Sequence, residues 1–468
     1  MVITKRVRGN QKGEAFDAAE TRYVNEYNGF VVPNDNYAIK RIPVSSMTPE
    51  LFFTNYVCTR TPVVLTGYLE DETFTASEKW TKSNDRLIEL IGDTKLTVER
   101  RGGLHDKFGK GMAVEMPFCD LLKLMASGDE FHYLTTQDVA FEEDGRPEIM
   151  SSFMKKLQLD FPLRPKLMGY LIPQNINMWM GNSKHGSSSG LHHDHHDNLY
   201  ILMRGKKHFR MYSPSDAFKM YTQEQIANVH PNGLINYVGK ETTHYGADPV
   251  AERKALAVIE RIEAERELLI AEKAMITGEL GAKILLKAAE ERLEAAMFDV
   301  LQAEDSQTEV DEECENSASD NEESEAEGDE DDLEELDELA LDPEELTNTT
   351  AKRDLDQLEG TLPVNFSQVD TQLQGSEHAQ RDVDATFPHF KHAKAAFCDL
   401  EEGDMLYLPA SWFHEVVSYN SAQDNGHLAL NYWFHPPDRL TPEHFTSPYS
   451  SPFWERDWKQ RYQPEKQY

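Results

Sequence analysis

Cysteine is scarce in this chain: four in 468 residues, Cys58, Cys119, Cys314 and Cys398, far apart and with no CxxC pair. That argues against a disulfide framework or a thiolate zinc site, and makes a reducing compartment, cytoplasmic or nuclear, the expectation. No apolar run is long enough to span a bilayer, and the opening Met-Val-Ile-Thr-Lys-Arg-Val-Arg carries no apolar core of a secretion signal, so no membrane association is expected. Positive charge is also in short supply, with 47 Lys and Arg against 83 Asp and Glu and a net charge of −36. Residues 301–350 hold 23 of those acids and no base, which leaves −13 for the remainder. An acidic body lacks the phosphate-neutralising surface of a nucleic-acid binder, so nucleic acid is disfavoured and a basic protein partner fits better.

The rest is a sizeable globular body with one interruption. Residues 1–35 are polar and weakly periodic, an N-terminal arm. Residues 36–248 alternate short strands and helices. Tyr37–Val44 and Arg60–Gly67 read as strands, residues 49–56 as a short helix, 116–125 as an amphipathic helix and 131–136 as a strand. Asn175–Gly181 alternates as a half-buried strand does, and a Ser-Lys-His-Gly-Ser-Ser-Ser-Gly loop that reads as flexible follows. Leu199–Met203 and His208–Tyr212 flank Arg-Gly-Lys-Lys, the signature of a hairpin. Residues 249–300 change to helical spacing, with Ile259, Ile262, Leu269 and Ile276 on one stripe and Leu286, Ala289, Leu293, Ala296 and Val300 on another. Gly278 and Gly281 separate them into an αα-hairpin, read as packing on the body in preference to docking a partner. Residues 301–352 are acidic, lack aromatics and are expected to be disordered. They are either a solvated spacer or a dock for basic sequences. Globular patterning returns over 353–440, with two strands around a turn in 397–419 and a strong strand at His427–Phe434. The tail, 441–468, carries Phe445, Tyr449, Phe453, Trp454, Trp458 and Tyr462, a homodimer surface or, preferably, a tail folded back on its own domain. Short strands and tight turns point to an antiparallel sandwich or barrel.

The chemistry concentrates in Leu191-His-His-Asp-His-His-Asp-Asn-Leu-Tyr200, four histidines and two aspartates in six positions. On an extended chain His192, Asp194 and His196 share one face and His193, His195 and Asp197 the other. His192 and Asp194 can grip one metal together. His414, after Gly403-Asp404 and Pro409 and beside Trp412, is the candidate third ligand. Two histidines and a carboxylate on one face of an ion leave positions open, as in non-haem Fe(II) oxygenases, although the bare ligands also suit a zinc hydrolase. His193, His195, His196 and Asp197 read mostly as surface polar positions.

The stretches NMWMG, LHHDHHDNLYILMRGKKHF, NFSQVD and GDMLYLPASWFHEV followed by LALNYWFHPPD resemble, in order, the JmjC-type, cupin-like Fe(II)- and 2-oxoglutarate-dependent hydroxylases. The resemblance is strongest to the small JmjC lysyl hydroxylases, and next to the asparaginyl hydroxylase of hypoxia-inducible factor. It implies a double-stranded β-helix, mainly β with flanking helices, carrying the helical and acidic insertion. It implies Fe(II) on His192, Asp194 and His414, with 2-oxoglutarate and O2 as cosubstrates. Lys207 would pair with the distal carboxylate of 2-oxoglutarate while Lys206 points away, and Asn198, Asn431, Tyr133 and Ser189 would assist. The product would be a hydroxylated side chain, lysine first, on a protein substrate. A tRNA-modifying hydroxylase, a histone demethylase and a non-catalytic scaffold for basic proteins are the alternatives. Demethylases more often use glutamate as the carboxylate ligand. The insertion, residues 249–352, separates Asp194 and His414 by 220 positions that shrink to 116 without it, a spacing that a loop tolerates at small closure cost.

Overall fold

A computed structural model describes residues 24–462, apart from 104–105, 108, 110, 143–145, 317–361, 372–382 and 423–424. Two facing sheets form a double-stranded β-helix, a cupin-like architecture with flanking helices. The strands that position the site are β1 (Val63–Thr66), β2 (Pro173–Gly181), β3 (His192–His193), β4 (Asp197–Arg204), β5 (Lys206–Tyr212), β6 (Ala396–Leu400), β7 (Asp404–Leu408), β8 (Phe413–Tyr419) and β9 (His427–Phe434). The larger sheet runs β1-β7-β4-β9-β2 through its centre and the smaller one β3-β8-β5-β6.

Leu199–Met203 and His208–Tyr212 do form strands, but not a hairpin. Strand β4 pairs with β7 and β9, and β5 pairs with β6 and β8, so the chain changes sheets between them. Gly205 makes that corner at φ +90°, where an added Cβ would lie 2.5 Å from the Tyr419 carbonyl oxygen. Both requirements select glycine. The buried sheet interface explains two further differences. Strand β2 begins at Pro173 and is covered on both faces rather than half-buried, because Ile176, Met178 and Met180 pack into the main core on one face while Trp179 on the other packs against the core between the two sheets. The Ser-rich loop is tied down, since Ser187–Ser188 pairs with β8 and both residues are buried.

Tyr37–Val44 is split into Tyr37–Ala38 in the smaller sheet and Arg41–Pro43 in the larger. The second half of the N-terminal arm belongs to the body: Val24–Asn25 pairs with residues 228–229 and Val32 is buried in the core. Residues 397–419 hold three strands, not two. In the tail, Trp458 and Tyr449 are buried against the main core, and Phe445 and Trp454 pack beside them.

The insertion forms helix α1 (Pro249–Thr277) and helix α2 (Ala282–Asn316), with Asp248 capping the first and Gly278 closing it in the left-handed region. The α1 stripe expected from the sequence is wrong. Alanines spaced by seven, Ala257, Ala264 and Ala271 against Ala282, Ala289, Ala296 and Ala303, form the seam, whereas Ile262, Leu269 and Ile276 are exposed. Small side chains let two backbones approach closely, and that contact outcompetes the larger residues for the shared face. Helix α2 also runs on to Asn316, into the stretch expected to be disordered; the remaining acidic residues, 317–352, lie outside the described residues.

Candidate metal centre and cosubstrate cavity

His192 and His414 sit directly opposite each other in the β3–β8 ladder, so register alone brings together residues 222 apart in sequence. After His193 the chain bends, and Asp194 turns toward the same point. Ligand atoms of His192, Asp194 and His414 lie within 4.8 Å of one another, the only such cluster of three among the described residues. Each imidazole is oriented from behind. His192 Nδ1 donates to the Gly190 carbonyl at 3.0 Å and His414 Nδ1 to the Trp412 carbonyl at 2.9 Å. A carbonyl only accepts, so both protons sit on Nδ1 and both Nε2 lone pairs face the cluster. His414 Nε2 is 3.7 Å from Asp194 Oδ2. Burial, reinforced by His192, pushes the His414 pKa down to about 4, which keeps the ring a neutral ligand at physiological pH. The donor set and tautomers fit a divalent ion bound on one face.

The other members of the His/Asp cluster are not surface residues. The bend at 194–196 ends the alternation, so His196 does not join His192 and Asp194; it stacks on Trp433 at 6.1 Å and meets His435 at 5.9 Å. His193 is fully buried and shares a 2.7 Å hydrogen bond with the Tyr237 hydroxyl, and His195 lies edge-on to it. Asp197 is fully buried too. It accepts from both terminal guanidinium nitrogens of Arg60, from the Tyr407 hydroxyl at 2.7 Å and from the Ala410 amide at 2.9 Å. The Ser411 amide donates to the Asp194 carbonyl at 2.7 Å. These bonds fasten the turn carrying Asp194 to the loop that leads into His414. Arg60, which sequence reasoning did not select, anchors that arrangement.

A cavity of about 300 Å3 opens from the cluster. Along β8, His414, Val416 and Ser418 all line it, so the distance from His414 to Ser418 is about 13 Å of strand. At Ser418 lies Lys207, 1% exposed, its ammonium donating to Ser418 Oγ at 2.6 Å, with His427 Nδ1 at 3.3 Å and the Tyr133 ring centroid at 5.7 Å. No carboxylate of the described residues pairs with it. Burial alone pushes its pKa down to about 7, and burial together with Lys207 holds His427 well below its ordinary range. Lys206 points outward to Glu401.

Tyr133, Ser189 and Asn198 line the same cavity. Asn431 stands behind them, donating to Asn198 Oδ1 at 3.2 Å while accepting from Trp179 Nε1 at 2.7 Å. Ser189 Oγ is engaged with backbone, donating to the Gly190 carbonyl and accepting from the Val416 amide. Tyr200, Trp179 and Trp433 stood inside the matching stretches without being singled out, and Ser418 and His427 carried no sequence signal, since their roles depend on cross-strand parity. Phe366 had one, the NFSQVD stretch: it stacks on His192 at 4.8 Å, pairs with it as an isolated bridge, and covers the site from beyond the insertion.

A double-stranded β-helix with an orienting His-Asp-His cluster at one end and a buried lysine further along defines a cupin-type protein with a candidate metal centre. The cupin-like domain family matches residues 49–440, and the chain belongs to the cupin-like, JmjC-type family, whose members are in general 2-oxoglutarate-dependent oxygenases. It is 34% identical over 445 residues to JmjC domain-containing protein 4 of Schizosaccharomyces pombe, covering 87% of each chain. It is 24% identical over 188 residues to the human bifunctional peptidase and (3S)-lysyl hydroxylase JMJD7, covering 37% of this chain and 56% of that one. A shorter match, 36% over 81 residues, covers 16% of this chain and 24% of human tRNA wybutosine-synthesizing protein 5.

Proposed function

We propose that the protein is an Fe(II)- and 2-oxoglutarate-dependent dioxygenase that hydroxylates a side chain of a protein substrate, lysine first. The observation that carries this reading is the pairing of the His192–Asp194–His414 cluster with the unneutralised Lys207 ammonium along one cavity. Fe(II) held by the three ligands would supply the oxidising chemistry by which O2 and 2-oxoglutarate convert C–H to C–OH, with succinate and CO2 released.

Residues of the chain do the rest. Lys207 and Ser418 bind the far carboxylate of a dianion and Asn198 and Tyr133 flank it, which fixes its 2-oxo acid end toward the histidines. The Gly190 and Trp412 carbonyls hold both imidazoles in the ligating tautomer. Phe366, Trp179 and Trp433 wall the cavity with apolar surface and restrict water. The lysyl hydroxylase named among the relatives supports lysine as the target, and the acidic balance of the chain suits a basic protein surface and speaks against tRNA.

The test is succinate formation from 2-oxoglutarate by the Fe(II)-loaded chain, together with mass spectrometry of proteins retained by the Asp194→Ala variant. The expected result is coupled turnover in the wild type, at least about a thousandfold less in Asp194→Ala, and a single-oxygen mass gain on a lysine of a retained protein. Wild-type levels of succinate from the variant would overturn the site. Loss of a methyl group from the retained protein, in place of an oxygen gain, would make the enzyme a demethylase.

A further inference from the structure

We propose that the α1–α2 hairpin is a dimerisation arm whose outward face pairs with the same face of a second copy. The alanine seam uses the inner face of both helices, and helical spacing then fixes where the other residues lie. Val258, Ile262, Leu269 and Ile276 fall in one stripe along α1, to one side of the seam, and Met297 and Leu301 fall on the same side of α2. These six are 39%, 51%, 66%, 86%, 53% and 59% exposed. Glu263 lies on the opposite side of α1, and it is the residue that Arg456 of the C-terminal helix, α3 (Phe453–Tyr462), reaches from the body at 3.4 Å. The apolar stripe therefore looks away from the catalytic domain.

Two observations select a second copy as occupant. The first is area. Side chains this exposed contribute on the order of 100 Å2 apiece, about 600 Å2 per copy and the upper end of what a monomer leaves to water, so two copies meeting here would bury about 1,200 Å2, the lower end of the range of specific interfaces. The second is charge. Lys254, Arg261, Lys283 and Lys287 share that side of the hairpin with Glu265, Glu272, Glu290 and Glu294, four of each sign. A balanced rim gives no preference to a partner of uniform charge, whereas a twofold-related copy presents bases to acids and acids to bases. The aromatic tail is not available for this role, because Trp458 and Tyr449 are consumed by the chain's own core.

Light scattering on the full chain at micromolar concentration tests the arm. The expected mass is twice 53.6 kDa, falling to a monomer in Leu269→Glu/Ile276→Glu with helicity and succinate formation unchanged. Ile270→Glu/Ile284→Glu adds the same charge on the opposite side of the hairpin, and this variant should remain a dimer. A monomeric wild type, whatever else the face binds, overturns the proposal. So does a dimer that survives the first double substitution, or one that dissociates equally in the second.

Discussion

Arg60 and Lys207 are both buried inside the barrel, one behind the metal turn and one well along the cavity, and their surroundings differ in a way that separates scaffold from site. Burial by itself would lower the Arg60 pKa, but the Asp197 carboxylate and the Tyr407 hydroxyl outweigh it and hold the guanidinium above its ordinary value. The arginine is also bonded through Nε to the Asn232 carbonyl at 2.9 Å, so its charge is satisfied without any ligand. Lys207 has a hydroxyl and an imidazole and no anion. A fold keeps an unneutralised ammonium only at a cost in stability, and under the function proposed above the return is a preformed seat for the dianionic cosubstrate.

The comparison breaks first at Asp197. Asp197→Asn would leave Arg60 charged, buried and unpaired, and unfolding experiments should show a loss of about 3–5 kcal/mol, the cost of stranding one partner of a buried pair. Adding Arg60→Met should recover much of it, and an unchanged denaturation midpoint in the single variant would mean the pair is not the anchor of the metal turn.

Lys207→Met should do the reverse. Without cosubstrate the variant gains about 1–3 kcal/mol because a stranded charge is gone, while 2-oxoglutarate binding is lost; calorimetry and thermal melts together check both signs. A variant less stable than wild type would show that Lys207 is a structural cation like Arg60.

The mildest perturbation is pH. The unfolded chain keeps the Lys207 proton up to its ordinary value of 10.5, whereas the folded cosubstrate-free protein releases it near 7. Between these limits the unfolded state binds more protons, so this group makes stability rise with pH across the window, and Lys207→Met should flatten that part of the slope. Cosubstrate affinity moves the other way, since a dianion binds the protonated lysine. The KM for 2-oxoglutarate should rise about tenfold per pH unit above 7, and a flat profile would rule out Lys207 as the carboxylate partner.

The sequence by itself determined the elements whose signals are local. Strands β4, β5, β8 and β9, the glycine-separated hairpin and the HxD pair are legible because apolar spacing, turn chemistry and ligand type are properties of neighbouring residues. Motif order agreed with the choice of His414 and added Lys207. Only the tertiary structure decided which residues meet. The supposed hairpin at Gly205 is a corner between sheets, since nothing in Arg-Gly-Lys-Lys says which strands will be its partners. Asp197 passed for a spare surface ligand because Arg60, 137 positions away, was invisible beside it. Ser418 and His427 came to Lys207 through the parity of three strands, and the hairpin seam went to alanines because close approach, not hydrophobicity, sets that contact. Periodicity records what a segment can bury; pairing across the barrel decides against what, and long-range register is not written in any one stretch of chain.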